Sequence, residues 1–311
     1  MDLAIVVVSY NTRDLTANCL TSVYAELERA GLDAHVWVVD NASPDESAAM
    51  VASRYPQATL LAQETNLGFA AATNLGLSAA LARTPLPRYL LLLNPDTIVR
   101  AGALEVLVST MDEMPAVGAA GARLFYGDGS FQHSAFRFPS LMMAVLDFWM
   151  INHRLLDSRL NGRYPRRLYE GGQPFVIDHP LGAAMVIRRE ALEQVGLLDE
   201  GYFIYCEEID WCMRAKAAGW GIRCVPQAEI VHLGGQSTGQ FRARMFQALW
   251  ESRFRLFGKH YSRAYGRVVR WIVRAGLRRE TARLRDLVQA GELTADEAER
   301  RKDAYRAVMA M

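Results

Sequence analysis

Two acidic clusters are the residues in this chain whose type and setting could do chemistry. Asp96 ends the stretch Leu90-Leu91-Leu92-Leu93-Asn94-Pro95-Asp96, in which four consecutive leucines give way to a polar turn. Such an apolar run reads as a strand buried on both faces of a sheet, and a proline cannot continue a central strand. Ligands of open α/β sheets bind where strands run out at their carboxyl ends. Asp96 therefore stands where a carboxylate can hold a divalent cation against a diphosphate. The competing role for Asp96 or Thr97 is to cap a helix over residues 101–111. The second cluster, Glu207-Glu208-Ile209-Asp210, puts three acids in four residues beside Tyr202, Phe203 and Tyr205. Acids at the start of a helix are favoured by its macrodipole. A carboxylate half-buried against aromatic rings is instead tuned toward general-base work.

The elements that must position these acids alternate between strand and helix. Strands are expected over residues 3–9, 35–40, 59–62 and 89–93, with helices over 13–30, 46–54 and 69–82 between them. That order calls for a mostly parallel α/β sheet with right-handed crossovers. The first strand turns through Ser9-Tyr10-Asn11, without the Gly-x-Gly-x-x-Gly of a dinucleotide site. Asp40 leaves the second strand into Asn41-Ala42-Ser43-Pro44, where it suits either a hydrogen bond to a base or ribose, or an Asx-turn. Asn66-Leu67-Gly68-Phe69 opens a small-residue helix that can pack close to the sheet and turn its N-terminus to a phosphate.

Further on, residues 117–125 read as a strand, and 131–167 as an irregular span rich in aromatics and arginine, a type of segment that is often functional. Strands are expected again at 181–187, 221–226 and 228–233, with helices at 188–195 and 207–218. His232 closes the last strand, a position more often structural than ligating.

Half of the 311 residues are hydrophobic and the net charge is +1, so a sizeable core is feasible and global disorder is excluded. The four cysteines have neither metal-ligand spacing nor a disulfide framework, which suits a reducing cytosol. The apolar N-terminus lacks the basic flank of a signal peptide, and the later apolar run 141–151 is too short to span a bilayer.

Taken jointly, Val7-Val8-Ser9-Tyr10-Asn11, Val39-Asp40-Asn41-Ala42-Ser43, Asn66-Leu67-Gly68-Phe69, Leu93-Asn94-Pro95-Asp96, Glu207-Glu208-Ile209-Asp210 and His232 resemble the family 2 glycosyltransferases, within them the bacterial rhamnosyltransferase branch. The resemblance spans residues 3–240. It implies a GT-A fold, a nucleoside-diphosphate-sugar donor (dTDP or UDP), Mg²⁺ or Mn²⁺, and inversion at the anomeric carbon. It implies that Asp40 meets the pyrimidine with the Ser9, Tyr10 and Asn11 turn alongside, and that Asn66 and Gly68 line the nucleotide pocket. Asn94-Pro95-Asp96 takes the place of the family's Asp-x-Asp, with Asn94 for the first acid, Asp96 as metal ligand and His232 as a second. Glu208 occupies the position of the catalytic base, commonly an aspartate, with Glu207 and Asp210 as rivals. The expected reaction is transfer of L-rhamnose from dTDP-rhamnose to a saccharide or polyprenyl-linked acceptor in surface-polysaccharide synthesis. The rival is a non-catalytic nucleotide-sugar-binding or scaffold protein of the same fold. A nucleotidyltransferase is disfavoured because no Gly-rich, Lys-bearing loop follows the first strand.

The expected domains are a GT-A unit over 1–240, with a nucleotide half (1–100) and an acceptor half (101–240), then a basic helical extension over 241–311. Residues 240–285 hold thirteen Arg or Lys against two acids. Arg263, Arg267, Arg270, Arg274 and Arg278 recur at helical spacing with Val268, Trp271, Ile272 and Val273 among them. This reads as an amphipathic helix for an anionic membrane surface, against an ordinary packed helix or a nucleic-acid patch, for which no motif is present. The chain is thus expected in the cytoplasm, at the inner face of the plasma membrane, with no nucleic-acid partner. Thr294-Ala295-Asp296-Glu297 is a capping box that opens a last helix, able to pair with its neighbour or with a second subunit.

Overall fold

A computed structural model of the chain describes residues 1–149, 152, 155–234 and 242–311. The expected boundary at 240/241, the end of the apolar run at 150–151 and the Gly235 half of the Gly-Gly turn lie outside the described residues.

The first hundred residues are built as their hydrophobic pattern requires. β1 (Leu3–Ser9), β2 (Ala34–Asp40), β3 (Thr59–Ala62) and β4 (Tyr89–Leu93) are joined by α1 (Arg13–Ala30), α2 (Ser47–Arg54) and α3 (Phe69–Leu81). The β1–β2, β2–β3 and β1–β4 pairs are all parallel. Successive side chains of a strand point to opposite faces. Thus Ile5, Val7, Leu91 and Leu93 join one apolar cluster with Leu20 and Val23 of α1, while Ala4, Val6, Leu90 and Leu92 join another with Leu77 of α3. Both faces of β4 are covered, which is why its sequence shows no polar alternation. Gly76 explains how close α3 lies to the sheet: a Cβ there would fall 2.4 Å from Val6 Cγ1.

The second half departs from a purely parallel sheet. β5 (Thr97–Val99) follows the Asn94-Pro95-Asp96 turn, then α4 (Ala103–Glu113), β6 (Val117–Phe125), β7 (Phe131–Gln132) and β8 (Ala135–Phe136). After α5 (Leu141–Leu146) and α6 (Arg166–Glu170) come β9 (Phe175–Val176), β10 (His179–Pro180), β11 (Ala184–Arg188), α7 (Arg189–Val195), α8 (Glu207–Ala217) and β12 (Gly221–His232). The sheet order is β3-β2-β1-β4-β11-β6-β12-β5, with β11 antiparallel to both β4 and β6. Two expectations are corrected. Thr97 begins a strand rather than a helix, so Asp96 caps nothing. The two short strands expected at 221–226 and 228–233 form one strand, interrupted by a register shift between Val225 and Glu229. Pro226 lies in that irregularity, where the ladder does not need its missing N–H.

Three helices close the chain: α9 (Arg242–His260), α10 (Arg263–Gln289) and α11 (Ala295–Ala310). Their apolar cluster gathers Trp250, Phe254, Phe257, Val269, Val273, Leu277 and Val308 around Phe148. The Thr294 hydroxyl accepts from the Glu297 N–H, as the capping box requires. No helix among the described residues is long and apolar enough to cross a membrane.

Candidate functional site

Strand order reverses between β1 and β4, the switch point at which open α/β sheets leave a crevice. A cavity of about 600 Å³ opens there. Tyr10, Asn41, Asn66, Gly68, Asn94 and Asp96 line one part of it; Glu207, Glu208 and His232 also face it.

Asp96 and His232 meet through strand pairing. β5 runs antiparallel to β12 with Thr97 opposite His232, and the Leu233 N–H donates to the Asp96 carbonyl. The two side chains consequently face each other, with 3.4 Å between His232 Nε2 and Asp96 Oδ1. Asp96 is only 5% exposed. His232 Nδ1 lies 3.1 Å from Gln132 Oε1. An amide oxygen accepts, so this contact orients the ring by a hydrogen bond from Nδ1 and turns Nε2 toward Asp96. One carboxylate and one oriented imidazole are donor types that would fit Mg²⁺ or Mn²⁺.

The loop that starts α8 holds the other acids. Tyr205 and Cys206 both adopt positive φ, 72° and 69°, and deliver Glu207 and Glu208 as the first helical residues. Consecutive left-handed non-glycine residues store strain, which is characteristic of functional loops. Glu207 is 5% exposed and its Oε2 has no hydrogen-bond partner among the described residues. Burial and the neighbouring Glu208 push its pKa well up. Burial also pushes Glu208 up, to about 7. The two carboxyls therefore resist being ionised together.

Asp210 does not reach this cavity. It lies 200° further round the helix than Glu208 at 100° per residue, wholly buried and facing α9. Arg214 Nε, His260 Nε2 and Lys259 Nζ sit 2.8, 2.7 and 2.8 Å from its oxygens. Burial alone would raise its pKa, but hydrogen bonds from Lys259, His260 and Arg214 hold it below the ordinary carboxylate value. Asp210 thus ties α8 to the C-terminal helices. Asp210→Ala is expected to cost about 3 kcal/mol, because Arg214 and Lys259 lose their anion and His260 its hydrogen-bond acceptor. Chemical denaturation checks this. The contribution is present above the unfolded carboxylate pKa and is lost as pH falls through the depressed folded value.

The remaining expected donor residues separate into lining and bracing groups. The Ser9 hydroxyl is fully buried within 3.1 Å of Thr12 Oγ1 and 3.0 Å of Thr16 Oγ1, so it braces the turn instead of facing the cavity. Asn11, at φ 53°, donates its N–H to Ser43 Oγ. One Asp40 oxygen accepts from the Ser43 N–H; the other, Oδ1, is buried with no partner among the described residues. Gly68 is required by contact, since a Cβ there would lie 2.5 Å from the Phe203 carbonyl oxygen. The Phe69 N–H donates to that same oxygen at 2.6 Å, joining the two cavity loops.

Several lining residues escaped the sequence reading. Asn41 clamps the 66–68 loop by donating to Asn66 Oδ1 and the Gly68 carbonyl while accepting from the Leu67 N–H. Phe136 stacks on His179, whose pKa burial drives down to about 4. Leu249, Trp250 and Arg253 come from α9. The i, i+4 spacing of Leu249 and Arg253 marked one helix face, but nothing local told which cavity that face would meet.

Comparison with known proteins agrees with this architecture. The family model described as Glycosyl transferase family 2 matches residues 4–196. The N-acetylglucosaminyl-diphospho-decaprenol L-rhamnosyltransferase of Mycobacterium tuberculosis is 32% identical over 286 residues, 88% of this chain and 90% of that protein. The rhamnosyltransferase WbbL of Escherichia coli is 27% identical over 55% of this chain and 62% of its own length. Among solved structures, the mannosyltransferase PcManGT from Pyrobaculum calidifontis, in complex with GDP-Man and Mn²⁺, superposes with a TM-score of 0.58. It is 17% identical and the match covers 99% of this chain and 85% of that one, a likeness of fold. With the family model spanning most of the chain and a relative matched over nearly its whole length, this protein belongs to glycosyl transferase family 2.

Proposed function

We propose that this glycosyltransferase moves L-rhamnose from dTDP-rhamnose to a saccharide carried on a polyprenyl diphosphate, with inversion, at the cytoplasmic face of the membrane. The observation that carries the reading is the Asp96–His232 pair and the high-pKa Glu208 lining one cavity. The donor sugar and the lipid-linked acceptor follow the Mycobacterium tuberculosis relative, whose name states both a rhamnosyl transfer and a decaprenol carrier.

Asp40, whose buried Oδ1 has no partner among the described residues, is the acceptor for a pyrimidine N–H in this reading. Asn66 and Gly68, held by Asn41, shape the nucleotide wall, with Asn94 beside Asp96. Asp96 and His232 would hold the divalent cation, which would supply neutralisation of the charge developing on the leaving diphosphate. Glu208 accepts the proton of the attacking acceptor hydroxyl as the sugar passes through an oxocarbenium-like transition state. Glu207 stays protonated beside it, because a second buried negative charge there would be costly.

Release of nucleoside diphosphate from dTDP-rhamnose, UDP-sugars and GDP-sugars, with Mn²⁺ and with chelator, tests the assignment. The expected result is turnover of dTDP-rhamnose that requires the metal and is accelerated by a prenyl-diphosphate-linked N-acetylglucosamine. A different preferred donor overturns the sugar, and turnover unaffected by chelator overturns the metal.

A further inference from the structure

Helix α10 has two faces of opposite character. Val269, Ile272, Val273, Gly276 and Leu277 are buried, and Gly276 lies so close to Phe148 that a Cβ would fall 2.2 Å from its ring. The other face carries Arg263, Arg267, Arg270, Arg274 and Arg278 at positions that recur every three or four residues, with Trp271 in their midst. Trp271 is 70% exposed and Val268 is 44% exposed. Arg267, Arg270, Trp271, Arg274, Ala275 and Arg278 line one shallow surface depression.

No Asp or Glu side chain among the described residues forms an ion pair with any of these five arginines, and the helix's own Glu280 pairs with Arg279 and Arg283. Arg270 and Arg274 hold the Met311 and Met309 carbonyls through Nε; the Arg270 guanidinium also packs over the Phe254 ring, 5.0 Å from its centroid, while Arg267, Arg274 and Arg278 are exposed. A row of guanidiniums without acidic side chains beside them, around an exposed tryptophan, matches a surface with anionic headgroups above an apolar layer. Arginine forks pair with phosphate, and tryptophan favours the interfacial depth at which one ring edge is wet. A nucleic acid would use the charges but leave Trp271, Val268 and Ala275 without a role.

The position of this face also fits. α10 packs on α5 and α9, and those helices or their immediate ends supply Met143, Asp147, Leu249 and Arg253 to the cavity wall. A bilayer seated on α10 therefore lies roughly one helix diameter, about 10 Å, behind that wall.

We propose that the Arg–Trp face of α10 docks this protein on an anionic phospholipid leaflet, so that a membrane-borne acceptor meets the cavity from the α5–α9 side. The inference rests on the lipid-linked-acceptor reading above for its use, and on the exposed charges and tryptophan for its chemistry.

Co-sedimentation of the full chain with phosphatidylglycerol/phosphatidylcholine vesicles and with pure phosphatidylcholine vesicles, at low and high salt, tests it. Binding is expected on the anionic vesicles only, and it should weaken as salt screens the charges. The triple variant Arg267→Ala/Arg274→Ala/Arg278→Ala should lower vesicle affinity about 10²-fold. Trp271→Ala should lower it while leaving the salt dependence intact. Both variants should keep wild-type turnover on a water-soluble, short-chain acceptor and lose it on the vesicle-embedded one. Absence of binding to anionic vesicles, or equal binding by the triple variant, overturns the proposal. So does a wild-type dimer in light scattering that the triple variant abolishes, or tighter binding to an RNA duplex than to the vesicles. If docking fails while soluble-acceptor turnover persists, only this inference falls; if vesicles bind but no donor turns over, the fault lies in the proposed reaction.

Discussion

Glu208→Gln is expected to lower kcat by on the order of 10²–10⁴-fold while donor affinity stays near wild type, because glutamine keeps the shape but cannot take a proton. The pH profile supplies a second readout. With its pKa raised to about 7, Glu208 is the active carboxylate only above neutrality, so wild-type kcat/KM should rise with pH through about 7 and then level off. The same shift has an opposite consequence for stability. An acid whose folded pKa exceeds its unfolded value stabilises the fold below the unfolded pKa, and that contribution is lost as pH rises through about 7. Above that pH the wild type keeps a buried charge next to Glu207, and Glu208→Gln removes it. The variant should therefore melt higher than wild type at pH 8 even as it loses activity. Undiminished turnover in Glu208→Gln would move the base to Glu207, the adjacent acid that also lines the cavity.

The second large effect is expected at Asp96. Asp96→Ala removes the carboxylate that faces His232 at the turn after β4. Turnover should fall on the order of 10³-fold, comparable to losing a principal stabiliser of charge in a transition state. The concentration of Mn²⁺ needed for the residual activity should rise with it. His232→Ala leaves the carboxylate, so it should weaken metal dependence more than maximal rate. Gln132→Ala, which releases the imidazole's Nδ1 partner, should cost about 10- to 100-fold in metal affinity. Rates measured against Mn²⁺ concentration separate these cases. Full metal-saturated turnover in Asp96→Ala would place the cation elsewhere.

Much of the frame was legible before any coordinates. Leu90 to Leu93 had to be a doubly covered strand because no polar residue interrupts it, and they contact helices on both sides. Thr294 and Glu297 marked the start of the last helix because an N-cap hydroxyl satisfies a backbone N–H that the helix leaves open. The separation of Asp210 from Glu208 was also within reach, since two residues along a helix turn a side chain to the far face.

Other features depended on contacts between distant segments. Asp96 adjoins His232 because β5 reverses direction and pairs with the end of β12, and no local propensity encodes that register. Ser9 and Asp40 carry the right chemical groups, yet packing turns Ser9 into a hydroxyl cluster and leaves one Asp40 oxygen unpaired. The α9 face that lines the cavity looked like any amphipathic helix. Dihedral preference and burial period are properties of neighbouring residues, so the chain alone determined its strands, helices and caps. Which acid meets which histidine, and which carboxyl is desolvated, were decided by the tertiary fold, because pairing and burial depend on the whole assembly of elements.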